Sequence, residues 1–278
     1  MRNWIVPVLA LAVGAGCGGR LSESQEYYVG RSVSANAMVD PSGRYTGLHE
    51  DKALEEYIAL VGLTVALESD RPETFKGYYF GVLQSTDVNA FAAPGGFIFV
   101  TVGALKLMES EDELAGVLAH EIAHINLRHP EDHANRSASQ QGLMSILGIG
   151  TAVYGAYLQA TGRGHSADDL DKLTKGLGKT ADEFTKELMV KGYGRESELA
   201  ADALGVRVLC REGVRYNPDG LKAFISRLPK KERGAWATHP ALEGRIQAID
   251  DEIKKAGSTA AVDSARTTRF KAATAGLR

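Results

Sequence analysis

Apolar residues recur at helical spacing over 49–68, where Leu54, Tyr57, Ile58, Val61 and Val65 fall on one face. The period is then lost. KGYYFGVLQS (76–85) and GGFIFVTV (95–102) are rich in aromatic and β-branched residues and read as strands. From Glu111 to about Arg128 the helical period returns, with acidic residues in the first turn and a stripe of Leu114, Val117, Leu118, Ile122 and Ile125. Pro130 stops it. Further helices are expected over Arg195–Arg211, Pro218–Leu228 and Leu242–Lys255, with a break at Gly213. Residues 20–47 are mixed and carry turn signals in DPSGRYTG (40–47). No internal repeat is visible. The pattern predicts an α+β, predominantly helical domain over 20–256, with a small sheet beside the 111–128 helix, and a flexible tail over 257–278.

Residues 137–162 contain no charge and are long enough to span a bilayer, but their glycines, Gln and Ser favour a buried or interfacial helix that covers a cleft. Residues 163–192 are polar and lysine-rich, a solvated helix or flexible connection. With 44% hydrophobic and 24% charged residues in 278, the chain supports a sizeable core, and a net charge of −3 gives no reason to expect a nucleic-acid partner.

The N-terminus changes the picture of where the protein works. Arg2 precedes an apolar run from Trp4 to Val13 that is too short to cross a bilayer, so residues 1–17 read as a signal peptide. The run ends in Gly14, Ala15, Gly16 and Cys17, which resembles the lipobox of bacterial lipoproteins, although Gly14 stands where those boxes usually carry Leu. The resemblance implies lipidation of Cys17, a membrane anchor and the periplasmic side of the cell envelope. Gly18, where an inner-membrane retention signal has Asp, points to the outer membrane. The one other cysteine, Cys210, lies in ALGVRVLC and reads as a core residue, leaving no disulfide.

The candidate chemistry sits in LAHEIAHINLRH (118–129). Residues four apart share a helix face, so His120 and His124 can offer two imidazole nitrogens to one cation. Glu121, one residue on, lies beside that ion and can take a proton from water, as in HExxH metallopeptidases. A catalytic zinc needs a third protein ligand and an open fourth position. The metzincin spacing would need glycine at 127 and histidine at 130, and the chain has Leu127 and Pro130. His129 and His133 read as helix-end histidines. ESELAAD (196–202) offers Glu198 as third ligand and Asp202, one turn on, as hydrogen-bond acceptor for a ligating histidine.

Four ordered stretches, VNAFAAPGGFIFVTVGAL (88–105), ELAGVLAHEIAH (113–124), GRESELAAD (194–202) and ATHPALEGRI (237–246), together resemble the HtpX- and BepA-like gluzincin endopeptidases, the zinc family related to CAAX-prenyl proteases. The resemblance covers about residues 25–250. It implies one zinc ion on His120, His124 and Glu198, with Glu121 as general base and acid. Ala200 replaces a glutamate common in the family that is not a ligand. His239 and Arg245 match a family histidine and arginine. They are expected either to stabilise the oxyanion, or, for His239, to bind the zinc and close the site, and, for Arg245, to pair with a carboxylate. An extended substrate is expected to add to an edge strand formed by Phe97, Ile98, Phe99 and Val100. The function implied is a zinc endopeptidase of the envelope acting on misfolded or misassembled proteins. The alternative is a latent, chaperone-like client-binding lipoprotein with a self-blocked site. A purely structural metal site is disfavoured, because such sites are closed by four Cys or His ligands and Glu121 would have no task.

Overall fold

The computed structural model describes residues 20–38, 45–136, 192–228, 239, 244–257 and 263–277. The signal peptide, Cys17 and the segments 137–162 and 163–191 lie outside the described residues.

The metal-motif helix is the centre of the architecture. This helix, α4 (Glu111–Asn126), starts at Ser110, whose hydroxyl accepts from the Glu113 N–H, and all three first-turn acids are buried. Around it in chain order come α1 (Glu23–Met38), α2 (Lys52–Leu67), β1 (Tyr79–Leu83), β2 (Ala90–Ala93), β3 (Phe97–Thr101) and α3 (Val102–Leu107). After it follow α5 (His129–Arg136), α6 (Arg195–Leu209), α7 (Asp219–Arg227), α8 (Arg245–Ala256) and α9 (Ser264–Ala273). α4 ends at Asn126, before Pro130: Leu127 caps it and Arg128 turns the chain at a positive φ of 58°, while Pro130 lies in the first turn of α5, where a missing N–H costs nothing.

The sheet has the order β1-β3-β2, with β1 parallel and β2 antiparallel to β3. Side chains alternate across it. Ile98 and Val100 join the main core with Leu118, Ile122 and residues of α2 and α6, while Phe99 and Phe91 face a second cluster under α1. α1 packs tightly because Gly30 faces the chain at Pro94, where a Cβ would lie 1.8 Å from the carbonyl oxygen.

Two expectations are corrected here. Phe97–Val100 is not an edge strand: β3 is central, and its backbone is engaged by β1 on one side and β2 on the other, so no further strand can add to it. The edge beside α4 is β2. The tail after Gly257 is not loose either. Asp263 caps α9, Phe270 is fully buried in the main core, and Arg269 forks onto Glu111 at 3.0 and 2.6 Å. A single aromatic and ion pairs dock this helix, so it carries no apolar stripe. Cys210 ends α6 half-buried against the core. Among the described residues no helix is long and apolar enough to cross a membrane.

Candidate active site

His120, Glu121 and His124 lie in the C-terminal half of α4, all fully buried. α6 contributes Glu198 and Asp202 from successive turns and packs directly on α4, where Gly205 leaves only 3.2 Å between a notional Cβ and the His120 nitrogen. His239 comes from the stretch before α8, and Arg245 is the first residue of α8.

These residues converge. His120 Nε2 lies 3.0 Å from His124 Nε2 and 3.1 Å from His239 Nδ1. Glu198 sits 3.5 Å from each α4 histidine, and both its oxygens lie 3.1 Å from His239 Nδ1. One donor atom from each of these four buried residues falls within 4.8 Å of all the others. Nitrogen lone pairs aimed at one another at 3 Å repel unless a positive charge lies among them. Zinc at 2.0–2.1 Å from each nitrogen would separate tetrahedral ligands by about 3.3 Å, which this donor set matches. The residues therefore fit a zinc ion.

The surroundings fix the ligands. His120 Nδ1 donates to Asp202 Oδ1 at 2.9 Å, which leaves Nε2 as the lone-pair donor. His124 Nδ1 meets His129 Nδ1 at 2.9 Å, and its ring stacks on Tyr193 with centroids 4.1 Å apart. Arg245, fully buried, grips Asp202 through Nε at 2.7 Å and Nη2 at 2.6 Å, and its Nη1 lies 3.0 Å from Glu198. Of the two roles left open for Arg245, the geometry supports carboxylate pairing. Its guanidinium forks onto Asp202 and lies beside Glu198.

Burial pushes His124 well below the ordinary imidazole range, and the neighbouring His120 adds to this, so it is held as the neutral form that binds metal. Burial would raise the carboxyls of Glu198 and Asp202, but His239 and His120 beside the first, and His120 and Arg245 on the second, outweigh it and keep both low. Burial opposes a charge on His239, yet Glu198 and Glu121 push it up to about 10 in the metal-free arrangement.

Glu121 lies beside this cluster with its Oε1 3.1 Å from His239 Nε2. That same His239 nitrogen lies 3.2 Å from the Ala90 carbonyl. The alternation of β2 explains this: the Asn89 carbonyl accepts from Thr101 on β3, so Ala90 and Ala92 direct their polar groups outward. The Ala92 carbonyl is met by the Tyr193 hydroxyl at 3.4 Å. Sequence reasoning missed Tyr193 and the role of His129. An aromatic residue directly before the α6 ligand helix was the available signal for the first.

An HExxH helix completed by a glutamate from a later helix, with an aspartate behind the first histidine, is a gluzincin-type metal centre. The description of peptidase family M48 matches residues 52–253, and the chain belongs to that family. It is 30% identical over 205 residues to a putative beta-barrel assembly-enhancing protease of Vibrio cholerae, covering 70% of this chain and 38% of that protein. It is 26% identical over 245 residues to the beta-barrel assembly-enhancing protease of Escherichia coli K12, covering 84% and 45%. With a mitochondrial metalloendopeptidase of Schizosaccharomyces pombe it shares 27% over 222 residues, 78% of this chain and 56% of that one. The chain thus spans less than half of the two bacterial relatives.

Proposed function

We propose that this chain is a zinc metalloendopeptidase of the bacterial cell envelope. The observation that carries this reading is the meeting of His120 Nε2, His124 Nε2 and Glu198 within 3.0–3.5 Å, with the Glu121 carboxylate buried alongside. Zinc held there supplies a Lewis acid and brings the pKa of a water to about 7. Glu121 takes the proton of the attacking water as the oxygen–carbon bond forms, then delivers it to the amine nitrogen as the carbon–nitrogen bond breaks. Asp202 and Arg245 hold His120 and Glu198 in place through these steps. Once His239 and Tyr193 move off the Ala90 and Ala92 carbonyls, an extended peptide pairs with the outward backbone groups of these residues on β2, the edge that replaces the β3 edge expected from the sequence.

His239 favours a second feature of this reading. Its Nδ1 completes a four-residue donor set, and a zinc site closed by four protein ligands has no position for water. The arrangement supports a latent enzyme in which His239 must leave before cleavage. Misfolded or misassembled envelope proteins are the substrate class we favour, on the names of the bacterial relatives, and a lipid on Cys17 is the anchor. The test is metal analysis with casein cleavage on wild type, Glu121→Gln and His239→Ala. Glu121→Gln keeps zinc and loses cleavage, whereas His239→Ala gains it. Cleavage persisting in Glu121→Gln refutes the base, and an unchanged rate in His239→Ala refutes the latch.

A further inference from the structure

The chain between Cys17 and the folded body is short, and its inner end is fixed. Leu21 is 8% exposed, its N–H donates to Glu131 Oε1, and its carbonyl accepts from Arg128 Nη1 at 3.1 Å. Arg128 also pairs with Glu26, and with Glu131 Oε2 at 3.0 Å. Arg71 joins the same knot. It reaches Glu26 Oε2 at 3.0 Å and the Ile125 carbonyl at 3.2 Å, and its N–H donates to Asn126 Oδ1 at 2.8 Å. The start of α1, the end of α4, the start of α5 and the loop after α2 are thereby locked together.

Only Gly18, Gly19 and Arg20 separate Leu21 from Cys17. Fully extended, that leash reaches roughly 14 Å. Whatever Cys17 carries is therefore tethered within that reach of Leu21, which is held at the C-terminal end of α4. That end also displays apolar side chains. Tyr28 is 55% exposed and Phe75 44%, with the Tyr27 ring between them at centroid distances of 5.5 and 5.9 Å. Lys76 Nζ lies 5.3 Å over the Phe75 ring. Aromatic rings beside a lysine suit a headgroup boundary, where ring bodies sit in acyl chains and polar tips stay wet.

We propose that Tyr28, Phe75 and Lys76 form a bilayer-contacting face near the pinned Leu21. The metal centre then works at a fixed, short height above the membrane, on peptide segments emerging from it. Leash, Arg128 side chain and the one helical turn back to His124 place the metal site within about 30 Å of the lipid. This inference rests on the reading of Cys17 as the lipid-bearing residue. Lipid supplies the affinity, and the face supplies the orientation.

The test uses the full chain, expressed with its leader in a Cys210→Ala background and placed in vesicles of phosphatidylethanolamine and phosphatidylglycerol. An environment-sensitive fluorophore is attached at Tyr28→Cys, Phe75→Cys or, at the far end of α4, Lys271→Cys on α9. Probes at 28 and 75 are expected to show blue-shifted emission and several-fold stronger quenching by headgroup-labelled lipid than the probe at 271. Labelled fatty acid incorporation, abolished in Cys17→Ser, is measured on the same samples. Incorporation with solvent-like emission at 28 and 75, or with equal quenching at 271, overturns the face and leaves the anchor standing. No incorporation overturns the anchor and the face together, while leaving the zinc peptidase reading untouched.

Discussion

Replacing Arg245 by methionine separates its two proposed uses. The guanidinium is fully buried, forks onto Asp202 at 2.7 and 2.6 Å, and lies 3.0 Å from Glu198. Methionine fills much of the space of the stem but leaves both carboxylates without their permanent counter-charge. Removing one partner of a buried, hydrogen-bonded pair costs about 3–5 kcal/mol, more than a hundredfold in the unfolding equilibrium. The measurement is urea unfolding of metal-free protein, because bound metal adds its own stabilisation and masks the loss. Arg245→Lys keeps the charge and loses the fork, so it should fall between wild type and Arg245→Met. A loss below about 1 kcal/mol in Arg245→Met would refute the pairing role. An Arg245→Met protein of normal stability whose kcat collapses would instead place the guanidinium on the developing oxyanion.

The β2 edge is tested by Ala92→Pro, which deletes an outward N–H at a position where edge strands tolerate proline. KM for an extended peptide should rise at least several-fold with zinc content unchanged; an unaltered KM removes strand addition at β2. Phe270→Ala should cost about 3–5 kcal/mol in urea unfolding, as expected of a buried aromatic. A cost within 0.5 kcal/mol, the range typical of surface sites, would mean that α9 does not belong to the cooperative unit. Burial raises the carboxyl of Glu26 above its ordinary range, although Arg71 and Arg128 pull it down. A raised folded value means that its stabilising contribution is full below the unfolded pKa and is lost as pH rises through the folded pKa. Glu26→Gln should therefore gain on wild type in urea midpoint from about pH 4.5 towards neutrality; a variant that instead falls behind as pH rises shows that the two arginines dominate.

What the sequence revealed follows from which forces are local. The metal helix was legible because an apolar stripe and two histidines four apart share one 3.6-residue period. Glu198 and Asp202 were legible only as a carboxylate pair downstream of the HExxH, because a Glu and an Asp four apart carry no signal alone. β2 was not, because Ala90–Ala93 has no strand composition and becomes a strand only by pairing with β3. α1 hid for a related reason: its buried face is built from Gly30, Ser34 and Ala37 as much as from Val29 and Val33, which leaves a faint stripe. The central position of β3 depends on β2, so the edge assignment failed together with it. The burial of Arg245 was equally invisible, since arginines are mostly exposed and only the distant Asp202 and Glu198 reverse that preference.

The metal centre is set by backbone proximity more than by side-chain reach. His120 and His239 are 119 residues apart, yet their rings touch. Side chains of limited reach such as His and Glu can meet only if the helices carrying them approach closely. Gly205 on α6 faces Ala119 and His120 on α4, where a methyl group would lie 3.2 Å from the backbone. On another face of α4, one turn before His120, a methyl at Gly116 would lie 2.4 Å from the Leu221 nitrogen of α7. The α4 backbone is thus seated between neighbours that leave it no lateral play. A shift of a few tenths of an ångström there is comparable to the ±0.2 Å tolerance of a zinc–ligand bond, so glycines that touch no donor atom govern whether the donors converge.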